Sequence, residues 1–270
     1  MKKLISLLFV VALLPACDQS PSEIKTPIAE APTTAEIATS SEAEKKPASN
    51  SIFLLYKVEE PNTDPYESRI IITDEYIRLD DNSDGNDFVL VDRAKKIVYS
   101  VSDENDAILV VKHKPVTIKP PTELKFDTER TPDKDSPTIA GHGLVHYIFK
   151  VNGKACQDAM IAEGLLIKAT NAISEYRQIL AGQHAKTLNA TPADLQNECD
   201  MAIHIFEPDQ YLQFGLPIHE RDHSGYQRSL LDYEDDFEPN PTLFVLPKEY
   251  KQYSIDELDS PTTDEAPVQS

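Results

Sequence analysis

The stretch from Ser68 to Lys114 constrains the fold more than any other part of the chain. It reads SRIIITDEYIRLDD, then NDFVLVDR, KKIVYSVSD and AILVVKHK: short runs rich in Ile, Val, Tyr and Phe, closed by Asp, Asn and Lys clusters. Runs of that length and composition, interrupted by turn residues, predict consecutive antiparallel strands joined tightly. After Thr73-Asp74, Ile77 and Leu79 alternate with Tyr76, Arg78 and Asp80, which predicts one dry and one wet face. Such a wall needs a cover, and the rest of the chain must supply it.

Ser51 to Glu59 reads as a first strand, with a turn around Pro61 and Pro65. Lys114 to Gly143 is Pro-rich and charged, an irregular connection with room for a short strand at Leu124 to Thr128. Val145, Tyr147, Phe149 and Val151 share a face ahead of Asn152-Gly153, a strong two-residue hairpin signal. From Leu165 the period changes: Ala169, Ala172, Ile173, Tyr176, Ile179 and Leu180 fall at helical spacing, with Gly182 placed as a C-terminal cap. This amphipathic helix is the expected cover for the dry face. A second helix is expected from Thr191 with Pro192 at its first position. A hairpin turning at Ser224-Gly225 and a last strand at Leu243 to Leu246 complete the expectation. The fold class is α+β, a curved antiparallel meander or half-barrel under one helix, within a domain at 51–258.

A formal net charge of −20 argues against electrostatic binding of nucleic acid or an anionic membrane surface. At the N-terminus, Lys2-Lys3 precedes an apolar run from Leu4 to Leu14 that is too short for a stable spanning helix. The run ends in Leu14-Pro15-Ala16-Cys17, which resembles the bacterial lipobox, with Pro15 a departure from its usual residues. The resemblance implies a signal peptide at 1–16, cleavage before Cys17 and lipidation of its thiol, and hence a lipid anchor on the periplasmic side of the cell membrane. Asp18, directly after that cysteine, implies retention at the inner membrane by enterobacterial-type sorting. Residues 17–50, mostly Pro, Ala, Ser, Thr and Glu, read as the anchor and a disordered tether, and 259–270 as a disordered tail. With Cys17 assigned to lipid, Cys156 and Cys199 remain as an even pair in an oxidising compartment, where a disulfide is expected.

Two motif matches bear on chemistry. His219-Glu220-Arg221-Asp222-His223 fits H-E-x-x-H, which on a helix would place His219 and His223 on one Zn²⁺ with Glu220 activating its water. Pro217 and Gly225 bracket the motif too closely for such a helix, no third ligand follows, and a polar hairpin arm is the expectation. Asp80, Asn82 and Asp84, followed by Gly85, reproduce the first half of a calcium loop. Position 12 is then Val91 instead of a bidentate Glu, so an acidic turn between strands is expected. His142 and His146 form a pair without a carboxylate beside them in sequence. No P-loop, G-x-S-x-G, dinucleotide fingerprint or C-x-x-C occurs, so no cofactor is expected.

The meander with a helix across it, behind a lipobox, resembles the periplasmic lipoprotein-carrier half-barrels. The strands Phe88 to Arg93 and Lys96 to Val101 are similar to those of uncharacterised bacterial envelope proteins. The resemblance implies a groove able to hold an acyl chain. The leading expectation is a membrane-anchored, non-enzymatic protein that binds a hydrophobic ligand or an envelope partner. The alternatives are a zinc hydrolase built on residues 219–223 and a structural assembly factor of the envelope.

Overall fold

A computed structural model of the chain describes residues 50–83, 86–188 and 190–258. Its body is a large curved, unclosed sheet of 12 strands. One arm is the meander: β1 (Ser51–Glu59), β2 (Tyr66–Ile72), β3 (Tyr76–Asp80), β4 (Phe88–Asp92), β5 (Ile97–Ser102) and β6 (Ala107–Lys112), each antiparallel to the next. The other arm holds β7 (Phe126–Asp133), β8 (Leu144–Val151), β9 (Lys154–Glu163), β10 (Gly215–Asp222) and β11 (Gln227–Phe237). β11 returns to pair with β1, joining the arms. β12 (Lys251–Ser254) adds to β6 in parallel, so the last strand lies beyond the expected Leu243 to Leu246, where a 3₁₀ turn (Pro241–Phe244) stands instead. The fold is α+β, dominated by antiparallel pairing.

Local chemistry explains the turns. Asn152 (φ 50°) and Gly153 (φ 82°) both take the positive dihedrals of a tight two-residue hairpin between β8 and β9. In β1 the side chains of Ile52, Leu54, Tyr56 and Val58 alternate into the interior, as a half-buried strand requires.

The wet face expected on β3 is not wet. Arg78 and Asp80 are buried, because the chain after β11 folds back over that side of the meander. There Phe88, Leu90, Val101 and Ile108 pack with Phe244, Leu246 and Tyr250, a core separate from the main one. Asp80 accepts from Arg69 Nε (2.7 Å) and Arg78 Nε (2.6 Å), while Arg78 donates to the Leu243 carbonyl (2.7 Å).

The long helix α1 spans Ile167–Leu188, past the expected stop at Gly182. A Cβ at Gly182 would sit 2.0 Å from the Lys114 carbonyl oxygen, so this glycine admits a neighbouring backbone and does not cap the helix. Ala169, Ala172, Ile173 and Ile179 join the main core with Ile52, Ile70 and Val111. Ala185 and Leu188 pack instead against Met201 and Ile205, so burial of α1 is not confined to one stripe.

The second helix also departs from expectation. After a 3₁₀ turn at Ala193–Leu195, α2 (Glu198–Met201) starts at Asn197, whose side chain accepts from the Cys199 N–H (2.8 Å). It continues as a π-helical turn, Ala202–Phe206, and stops before Pro208. Cys199 on α2 and Cys156 on β9 form a disulfide, with Cα atoms 5.1 Å apart.

Candidate functional site

β10 and β11 pair across the Ser224-Gly225 turn, with Glu220 opposite Arg228 and His219 opposite Ser229. The H-E-x-x-H match is therefore strand and turn, not helix. His219 Nδ1 lies 2.9 Å from Ser229 Oγ, and His223 Nε2 2.9 Å from Asp200 Oδ1. Glu220 points the other way, into the interior, where its side chain is only 3% exposed. That corrects the expectation of a polar arm, and it separates Glu220 from both imidazoles. Asp80 of the calcium-loop match is occupied by two guanidinium groups, Asn82 donates its side-chain N–H to Glu67 (2.9 Å), and Asp84 lies outside the described residues. His146 meets Asp158 at 2.8 Å, and His142 Nδ1 meets the Glu163 carbonyl at 2.6 Å, so each histidine has its own partner. Among the described residues no three His, Cys, Asp or Glu side chains converge to hold a metal ion. Cys17 also lies outside the described residues.

What gathers around Glu220 is a different set. Arg228 Nε stands 2.7 Å from Glu220 Oε1, and Arg177 of α1 approaches the same oxygen at 3.9 Å. The Arg228 N–H is not aimed at the carboxylate, so the pair is a close ionic contact and not an aligned hydrogen bond. Both Glu220 oxygens and Arg228 Nε and Nη2 are buried without a hydrogen-bond partner. Each arginine lies over a tyrosine ring: Arg228 at 4.4 Å from the centre of Tyr56 and Arg177 at 5.1 Å from that of Tyr211. Tyr56 donates to the Pro217 carbonyl (3.1 Å), whereas the buried Tyr211 hydroxyl has no partner.

The electrostatics follow from the packing. Burial pushes the Tyr211 and Tyr226 hydroxyls upward, so both stay neutral donors at physiological pH. Burial works against the charge on Arg228, but Glu220 and the tyrosines around it outweigh burial and hold the guanidinium protonated.

Two adjoining cavities open beside this cluster. One, of about 380 Å³, runs along β10 past Glu220 and Arg177, with Glu60, Arg221 and Asp222 at its rim. The other, of about 350 Å³, lies between the sheet and α1. Its walls take Ile70 and Leu79 from the sheet and Ile173 and Leu180 from α1. Arg177, Ile203, His204 and Tyr226 line both, so the cavities form one cleft. The cavity along β10 is lined mainly by polar side chains and the one under α1 is the more apolar. An apolar hollow with a few convergent polar groups is the usual form of a small-molecule site.

Arg177 and Arg228 were not singled out by the sequence. A signal existed for Arg228. Arg228 and Leu230 are in phase on β11 with Tyr226 just before it, so Arg228 is a charge at an inward position. Along β10 the register shift between Pro217 and His219 breaks the alternation, and Arg177 on α1 carries no such strand signal. What the sequence lacked was the register of β10 and β11, which pairs Glu220 with Arg228.

No family profile matches the chain, and no curated protein does. An uncharacterised conserved protein from Thermus thermophilus is similar in structure, at 9% identity and a TM-score of 0.40, over 76% of this chain and 91% of that one. PNGF-II is similar at 9% identity and a TM-score of 0.35, over 77% of this chain and 31% of its own length. The chain therefore spans about a third of PNGF-II.

Proposed function

We propose that the chain is a periplasmic lipoprotein, anchored through Cys17, whose domain binds a hydrophobic ligand in the cleft between sheet and α1. In this reading α1 is the amphipathic cover of the curved sheet, as in the lipoprotein-carrier half-barrels the sequence resembles. Leu14 to Cys17 supports the anchor, and Asp18 supports retention at the inner membrane. The observation that carries the binding role is the cavity of about 350 Å³ whose apolar walls come from both layers, Ile70 and Leu79 facing Ile173 and Leu180. Had the two layers packed as a closed core, such a hollow would be filled by side chains.

Native mass spectrometry of the full-length protein extracted from membranes tests the reading. The expected result is a non-covalent lipid adduct that is lost in Leu180→Trp, where the larger side chain fills the cleft. An equal adduct in both forms, or none in the wild type, overturns the binding role. The same spectra report on the anchor through the covalent mass on the Cys17 peptide.

A further inference from the structure

We infer that the cleft takes an amphiphile with a single anionic head, a carboxylate, held by Arg177 and Arg228 with its alkyl tail along the apolar walls. This rests on the cleft being a hydrophobic ligand site and names the chemistry of the ligand's other end. The cavity between the sheet and α1 is lined by both arginines and by no carboxylate. Glu220 sits behind them, on the adjoining cavity, within 2.7 Å of Arg228 and 3.9 Å of Arg177. One carboxylate between two guanidinium groups leaves one positive charge unbalanced. The acids at the rim, Glu60 and Asp222, line the other cavity and not this one.

That unbalanced charge is not spread over an open surface. The Arg228 side chain is 9% exposed and its Nη2 has no hydrogen-bond partner. Arg177 is 24% exposed, and its Nη1 donates to the Pro208 carbonyl at a long 3.3 Å. Arg228 has its ionic contact to Glu220 but no aligned hydrogen bond. A buried charged donor left without one is costly, a cost that an anion reaching the guanidinium lowers. A guanidinium presents its N–H groups as a planar fork, which matches the two oxygens of a carboxylate. The tail follows from the apolar part of the wall, where Ile70, Leu79, Ile173 and Leu180 offer no hydrogen bonds to a polar body, while Ser68, Tyr176, His184, His204 and Tyr226 also line the cavity.

Calorimetric titration of the full chain carrying Cys17→Ser, so that no lipid of its own competes, decides the matter with three probes: dodecanoate, dodecanol and methyl dodecyl phosphate. Dodecanoate is expected to bind about tenfold to a hundredfold more tightly than dodecanol. Arg228→Met should bring dodecanoate down to about the affinity that dodecanol has in the same variant. Because Arg228→Met strands Glu220, the half-buried Arg177→Met serves as the folded control and should narrow the same gap. Arg228→Met/Glu220→Gln, in contrast, keeps one unbalanced guanidinium and should retain the preference for dodecanoate. Equal affinity for dodecanoate and dodecanol overturns the anionic head but leaves the apolar cleft standing. Failure of every probe to bind overturns the cleft itself. Tighter binding of the phosphate diester than of dodecanoate overturns the carboxylate assignment.

Discussion

At the scale of single residues, Gly182 and Asp80 show how tertiary context reverses a local rule. Gly→Ala inside a helix ordinarily stabilises by about 1 kcal/mol. At Gly182 the new Cβ would meet the Lys114 carbonyl oxygen at 2.0 Å, and backbone cannot step aside as a side-chain tip can. Gly182→Ala should therefore destabilise by about 1–3 kcal/mol, read as a lower urea midpoint. A raised midpoint would show that α1 and the segment at Lys114 are not pressed together. The sequence offered Gly182 only as a helix stop, because a glycine's tertiary neighbour leaves no local trace. Asp80 is similar. Burial pulls its carboxyl upward, but hydrogen bonds from Arg69 and Arg78 outweigh that and hold it below its ordinary value of 3.8. A lowered value in the folded state means that its contribution is fully present above the unfolded value and is lost as pH falls through the folded one. Asp80→Asn should cost about 3 kcal/mol at neutral pH, and the gap from wild type should close below pH 3.8. Parallel urea titrations of both proteins check it, and a gap that persists in acid would mean the carboxylate is not the stabilising form.

At the scale of elements, the strands of the meander and the β8–β9 hairpin were legible, while the last strand and the helix ends were not. The period of two and the Asn152-Gly153 turn settle β8 and β9 because side-chain parity and a positive-φ pair are local properties. The second helix was missed in detail because Thr191-Pro192 and Asn197 are competing start signals, and the disulfide favours the later one. Cys199 is held against β9 by its bond to Cys156, which fixes where the helix must begin. In the chain-entropy model this crosslink, with a sequence separation of 43, contributes about 4 kcal/mol. Replacing both cysteines by Ala should lower stability by up to that amount. Hydrogen exchange should show α2 and its π-helical turn opening before the sheet. Uniform loss of protection across β1 to β6 as well would show that the crosslink supports the whole fold and not this corner.

At the scale of the molecule, the cleft was illegible because its parts are scattered. Arg177 lies on α1, Glu220 and Arg228 on neighbouring strands, and the order β3-β2-β1-β11-β10 brings those strands into one sheet with Ile70 and Leu79. The α+β class and the meander were readable, since alternating runs closed by turn residues leave few alternatives. The joining of a second arm into one sheet of 12 strands through β11 and β1 was not. An open sheet has a further consequence: among the described residues its outer strands, β12 and β7, each pair on one side only. The β7 edge carries Asp127, Glu129, Arg130 and Pro132, charges and a missing N–H that discourage strand addition. The opposite end of the sheet is protected differently. β6 reads AILVVK, a segment with high β-propensity and one charge, and β12 occupies the side that β5 leaves open. A chain stopped at Glu249 should therefore assemble edge to edge as its concentration rises, visible by light scattering and thioflavin binding, and Val110→Lys in that shortened chain should suppress it. On this account the final strand acts as a fixed guard on an edge that could otherwise template fibres.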